Sequence, residues 1–355
     1  MLGSIFHCGF AYDRRWKLFR HESVPDASTN TVATTHNKND KRVHTVHFAS
    51  SHQFSLGMSE KSNDSHVKPF HNTWLFSEDS FLSKSPSRKQ MTLSQDLKVR
   101  ESIYDFMIRL GSQLKLDGRT ILAATIYLNR FYMRVPITTS KYFVACAAIT
   151  ISCKLHDNYR PPDKIAMAGC GIKNPNKNID QHSQLFWQWR DQLLYREELM
   201  LKFLNFELDV ELPYDILESL LDKKDESSSN GFFAKLPDIL KYTVSKVESV
   251  SALPILVSFD TRTLLGTMLV LTVKEAQGKF DEFTSLHMPE SFLTETLGVI
   301  TQETYLCYKY IMHLRAICED PKLPSHKNVF KKISKLSKEE YLFIATGGDI
   351  GGNQQ

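Results

Sequence analysis

From residue 92 the chain runs in apolar stripes at helical spacing, separated by short polar breaks. Val99, Ile103, Phe106, Met107, Leu110 and Leu114 recur at steps of mostly three and four, the mark of one helix face. Thr92 followed by Gln95 supplies a capping-box start, and Asp117-Gly118 ends the segment. A second stripe, Ile121, Ala124, Leu128, Phe131 and Tyr132, stops before Pro136. The third segment differs in kind: from Tyr142 to Cys153 nearly every residue is apolar, which predicts a helix buried on all sides, with Thr139 or Ser140 as its cap. Arg160-Pro161-Pro162 then turns the chain into a short helix over residues 163–168, followed by a loop over 169–178. A fifth helix is predicted over 184–204, with the stripe Leu185, Trp189, Leu193, Leu201 and Leu204. Five helices, one of them buried on all sides, describe a compact bundle with a central helix.

Two charges sit where the pattern is apolar. Lys154 follows the buried run directly, and Glu197 is four residues from both Leu193 and Leu201, so it shares their face. A charge on a buried stripe is paired or binds something. A structural ion pair locking two helices and a functional site are both compatible with the pattern.

The second half repeats the order. A helix is predicted from residue 215, then a charged, serine-rich loop over 222–231, then helices over 239–247, 262–277 and 297–317. Lys274 lies 120 residues after Lys154, which sets Thr272 against Ser152 and Leu269 and Leu271 against Ile149 and Ile151. The expected fold class is all-α: two five-helix bundles in tandem, the second degenerate, after a disordered N-terminal tail. The expected divisions are 1–72, disordered; 73–210, the first bundle with its lead-in; 211–320, the second bundle; and 321–355, a basic tail.

Composition refines this picture little. The 355 residues are 42% hydrophobic and 24% charged, as in globular proteins. Residues 1–72 are instead rich in Ser, Thr, Asn and His without apolar period. Met58-Ser59-Glu60-Lys61 reads like an ordinary protein start, which leaves 1–57 as an upstream extension or a polar tail. Arg14, Arg15, Lys17 and Arg20 suggest a presequence, but Asp13 and Glu22 count against it. The net charge of +4 is too small to argue for nucleic acid. The tail carries Lys322, Lys327, Lys331, Lys332, Lys335 and Lys338, read first as a solvated face. None of the six cysteines forms a C-x-x-C pair, which argues against a zinc ribbon and fits a reducing compartment. The longest apolar run, 264–273, is too short to span a membrane.

Catalytic signatures are missing. There is no phosphate-cradling glycine loop, no H-E-x-x-H and no nucleophile elbow. His156 follows Lys154 closely, but no Ser, Cys or Asp constellation can be assigned to it. No cofactor and no metal is implied, and a binding module is expected rather than an enzyme.

Leu128-Asn129-Arg130-Phe131-Tyr132, the run from Ala147 to Lys154, Tyr159-Arg160-Pro161-Pro162 and Leu204-Asn205-Phe206-Glu207-Leu208 together resemble the first box of the cyclins. Trp74-Leu75-Phe76-Ser77 and Ser85-Pro86-Ser87-Arg88 are similar to the lead-in of the transcriptional group, types T, K, L and C, including the cyclin of the fungal Bur kinase complex. The resemblance is clear over residues 74–208 and faint beyond. It implies a non-catalytic nuclear subunit that activates a cyclin-dependent protein kinase in RNA polymerase II elongation, acting on the polymerase C-terminal domain. It implies that Lys154 and Glu197, with Leu155, pair and present hydrogen bonds to the kinase near its mobile C-helix. It also implies a buried Arg100–Asn129 hydrogen bond, where cell-cycle cyclins place Asp. Recruitment of substrates through Arg-x-Leu motifs is not expected, nor is a membrane or direct nucleic-acid partner. Ser85-Pro86-Ser87-Arg88 fits a proline-directed phosphosite at Ser85, weighed against a plain structural turn. The rival from another class is a cyclin-fold general transcription factor that binds DNA or polymerase without a kinase; its zinc ribbon has no counterpart here. A helical scaffold is the third reading.

Overall fold

The computed structural model describes residues 74–222, 231–279, 286–318 and 333–348, all within one compact unit. The expectations for 1–72, including the start at Met58, for the loop 223–230, for Lys322, Lys327, Lys331 and Lys332, and for the last seven residues lie outside these. Among the described residues the regular structure is helical, with no strand.

The chain enters through Trp74 and a short helix α1 (Glu78–Leu82), then a 3-10 turn at Pro86–Lys89. Phe81, fully buried, lies beneath the guanidinium groups of both Arg88 and Arg100, each 5.2 Å from its ring centroid. The first bundle follows: α2 (Leu93–Leu114), α3 (Gly118–Phe131), α4 (Lys141–Leu155), α5 (Pro162–Lys173) and α6 (Gln184–Phe203). The Thr92–Gln95 capping box forms at the start of α2, with Gln95 N donating to Thr92 Oγ1 at 3.3 Å and Thr92 N to Gln95 Oε1 at 2.9 Å. α4 packs against α2, α3, α5 and α6, so residues from Val144 to Cys153 are all buried. Its hydroxyls are satisfied internally: Thr150 Oγ1 donates to Cys146 O at 2.9 Å and Ser152 Oγ to Thr120 O at 2.7 Å. Ser140 occupies the N-cap position, and its carbonyl accepts from Phe143 N and Val144 N, but its side chain makes no cap bond; its hydroxyl lies 2.8 Å from that of Thr138 instead.

Three expectations about the first bundle change. α3 is buried from Thr120 to Phe131 and not along one stripe, because it lies between α4 and the second half of the chain, touching the 3-10 turn at Pro254–Val257. α5 runs through the predicted loop to Lys173. Gly169 is why: a Cβ there would meet Cys146 Sγ at 2.7 Å and the Trp189 ring at 3.1 Å, so glycine allows α5 to lie close against α4 and α6 rather than breaking it. The buried stripe of α6 is Phe186, Trp189, Leu193, Glu197 and Met200, continued by Leu204. Leu185 and Leu201 flank it half-buried.

The second bundle repeats the arrangement with α7 (Pro213–Asp222), α8 (Gly231–Val250), α9 (Thr261–Lys279), a π turn at Phe292–Thr296 and α10 (Thr301–Cys318). α9 is buried from Thr263 to Val273 and contacts α7, α8 and α10. It starts at Thr261 and α4 at Lys141, the same 120-residue offset read from the two lysines. The second copy is degenerate where the first has α5, since among the described residues only the π turn fills that place. Gly298, with φ of +73°, delays α10 past the predicted residue 297. Residues 333–348 do not behave as a tail. Ser337 and Glu340 form a capping box that starts α11 (Lys338–Ala345), and the buried Tyr341 stacks on Tyr308 with ring centroids 5.1 Å apart.

Candidate partner-binding site

The C-terminal end of α4 and the middle of α6 bring Lys154 and Glu197 together. Lys154 Nζ lies 2.5 Å from Glu197 Oε1. The two side chains are unequal: Glu197 is 9% exposed and Lys154 45%. The carboxylate is therefore part of the α4–α6 packing, while the ammonium reaches the surface. The C-terminal position of Lys154 also suits the helix dipole. Leu155 is 48% exposed, so an apolar side chain and a cation share one surface edge. Tyr159, just beyond, is likewise exposed. Arg190 Nε donates to Asp163 Oδ1 at 2.6 Å, fastening α6 to the start of α5.

α6 ends in a turn that the apolar pattern does not signal. Asn205 and Phe206 both take left-handed backbone, φ +52° and +57°, and the Phe206 ring is 67% exposed. A bulky residue in this region is strained, and such strain collects at functional sites. Phe206 N donates to Leu201 O at 3.0 Å. Arg134 Nη1 donates to Phe203 O at 3.0 Å and to Asn205 Oδ1 at 3.3 Å. The Arg134 guanidinium stands 4.3 Å from the centroid of Trp74, whose Nε1 donates to Glu207 Oε2 at 2.8 Å.

The other singled-out residues lie elsewhere. Arg100 Nη1 donates to Asn129 Oδ1 at 2.7 Å, and Arg100 Nε to Asp96 Oδ1 at 2.7 Å. Asp96 also meets Arg88 at 3.0 Å, so the Arg100–Asn129 pair is one link of a buried network. The Asp96–Arg100 spacing of four residues was the available signal for it. Ser85 is 2% exposed. Its carbonyl accepts from Arg88 N at 2.8 Å, and Arg88 caps the Phe81 and Leu82 carbonyls. In the folded chain this hydroxyl is buried at the start of a 3-10 turn, which favours the structural turn over the phosphosite. His156 caps the end of α4, where burial first, and then Arg119, push its imidazole toward the neutral form. Burial raises the Cys153 thiol to about 12, which fits a packing role. Among the described residues no group of three or more His, Cys, Asp or Glu is placed to hold a metal, and no helix is long and apolar enough to cross a membrane.

Comparison with known proteins converges on the same segment. Residues 72–209 match the cyclin N-terminal domain family. Cyclin pch1 of Schizosaccharomyces pombe is 32% identical over 153 residues, covering 42% of this chain and 45% of that protein. Cyclin-T1-3 of Arabidopsis thaliana is 31% identical over 163 residues, 42% of this chain and 49% of that one. Cyclin-T1 of Mus musculus is 26% identical over 144 residues, 40% and 20%. The chain thus spans less than half the length of these curated relatives. A chain in the crystal structure of the yeast RNA Pol II CTD kinase CTDK-1 complex superposes with a TM-score of 0.52 at 12% identity, covering 78% of this chain and 91% of that one. At that identity the likeness speaks for the fold, and it extends over both bundles. Over residues 72–209 the chain is thus similar to the cyclin N-terminal domain family, and over about two fifths of its length to pch1 and the T-type cyclins.

Proposed function

We propose that this chain is the regulatory cyclin of a cyclin-dependent protein kinase acting in RNA polymerase II elongation, with the polymerase C-terminal domain as the kinase's substrate. The kinase-binding part is the first bundle, residues 73–210, and its centre is Lys154, Glu197 and Leu155. The chain does no chemistry itself and works in the nucleus. Seated near the start of the kinase C-helix, it would hold that helix inward and complete the Lys–Glu pair that kinases need.

The observation that carries this reading is the inequality of the pair. A cation 45% exposed beside an exposed leucine offers a partner a charge and an apolar contact on one edge, which a fully buried staple would not. The relatives are named cyclins, and the superposed chain comes from a kinase complex. The test is co-purification of a protein kinase with the tagged chain, repeated with Glu197→Ala. A kinase should co-purify with the wild type, and its affinity should fall about tenfold or more in the variant, as for a central interface charge. Wild-type affinity in Glu197→Ala would return the pair to a structural role, and no kinase at all would end the reading.

A further inference from the structure

We propose that Trp74 and Arg134 are positioning residues for the partner-binding surface: they brace the turn at Asn205 and Phe206 and so fix where the Phe206 ring is presented. This rests on the kinase-binding reading of α6.

Phe206 is 67% exposed with φ of +57°. Its own packing therefore offers little to offset its backbone strain, and the conformation has to be held by its surroundings. Those surroundings converge on one buried ring. Trp74 is 3% exposed. Its indole Nε1 donates to Glu207, the residue after Phe206, at 2.8 Å. Its face carries the Arg134 guanidinium at 4.3 Å, and that group donates to Phe203 O and Asn205 Oδ1, the residues before Phe206. Arg130 lies 5.6 Å from the same ring centroid and donates to Asp209 O at 3.4 Å. The peptide on both sides of Phe206 is thus tied to Trp74. Arg134 is exposed at the surface, where hydrogen bonds from a free guanidinium are weak; stacking on an indole orients it and makes them persistent. Trp74 belongs to the lead-in, which is also tied to the second bundle by Phe76 N donating to Val257 O at 2.7 Å. The lead-in consequently sets the geometry of a surface that α6 ends on.

The test is a double-mutant cycle on the full chain: kinase affinity of wild type, Trp74→Ala, Phe206→Ala and the double variant, with thermal melts alongside. Each single variant should weaken binding about tenfold. In the Phe206→Ala background, Trp74→Ala should weaken it by no more than about twofold, because both act through one contact. Trp74→Phe, which keeps the stacking face, should recover most of the affinity. Arg134→Gln, at an exposed position, gives the same reading if Trp74→Ala does not fold. Losses that multiply in the double variant, or wild-type affinity in Arg134→Gln and folded Trp74→Ala, would overturn the brace. If Glu197→Ala still weakens binding in that case, the kinase reading stands without it; a wild-type chain that binds no kinase removes both.

Discussion

Asn129 holds two hydrogen bonds that a carboxylate could not hold together. Its Oδ1 accepts from Arg100 at 2.7 Å and its Nδ2 donates to Ser251 O of the second bundle at 3.3 Å. Asn129→Asp would improve the contact with Arg100 and leave two acceptors facing each other across the joint. We expect a net loss on the order of 1–2 kcal/mol in denaturant unfolding, despite the new ion pair. The Lys154–Glu197 pair predicts an asymmetry of its own. Glu197→Ala leaves an ammonium that already reaches water, so the melting temperature should change little. Lys154→Ala leaves a carboxylate that is 9% exposed without its partner, and should cost on the order of 1–3 kcal/mol besides affinity. Glu248 supplies the pH dependence. Burial raises its carboxyl above the ordinary 4.5, outweighing the hydrogen bond from Tyr214 that lowers it. As pH climbs past 4.5 the unfolded chain ionises first, the folded chain keeps more protons, and stability falls across that window. Glu248→Gln should therefore raise the melting temperature at neutral pH and leave it unchanged well below 4.5.

At the scale of elements, α5 shows how a glycine can be misread. A glycine after a short helical stretch reads as a breaker, yet Gly169 is needed inside the helix because Cys146 and Trp189 leave no room for a methyl. Gly169→Ala should destabilise the first bundle by about 1–3 kcal/mol through overpacking, although alanine is the better helix former. Thermal melts against Gly171→Ala, where a Cβ meets nothing within 4 Å, give the matched control. α11 was legible and passed over: Ser337-Lys338-Glu339-Glu340 is a capping-box signature lying among the lysines of an expected tail. Ser337→Ala should cost about 1 kcal/mol. On α6 the stripe passes through Phe186 and Met200 rather than Leu185 and Leu201. The leucine-weighted reading missed by one residue at each place, and Glu197 remained on the face all the same.

At the scale of the whole molecule, the lead-in adds to the direct contacts that join the halves. Phe81 lies under Arg88 and Arg100, Arg88 reaches Asp96 on α2, and Phe76 bonds Val257. A chain starting at Met58 keeps all of these, and we expect full kinase activation from it, since the residues removed are polar and lack apolar period. A chain starting at Met91 loses the buried Trp74 and Phe81, each a large aromatic worth about 1.5–3 kcal/mol or more of burial, and should unfold at markedly lower denaturant.

What the amino-acid order determined by itself was the local and the periodic. Apolar spacing placed the helices of the first bundle, the all-apolar run identified α4 as the buried hub, and the matching lysines exposed the 120-residue repeat. These are properties of one helix at a time. The rest depended on which surfaces meet. Burial of α3 on all sides follows from the second bundle covering its outer face, and nothing in its own period encodes that cover. The inequality of Lys154 and Glu197, and the seclusion of Ser85, depend on which neighbours happen to lie above each side chain. The turn at Phe206 is held by Trp74 and Arg134, residues 132 and 72 positions earlier in the chain. Contacts across such separations are decided only when the chain has closed on itself, since a local pattern carries the preference of a segment and not the identity of what packs against it.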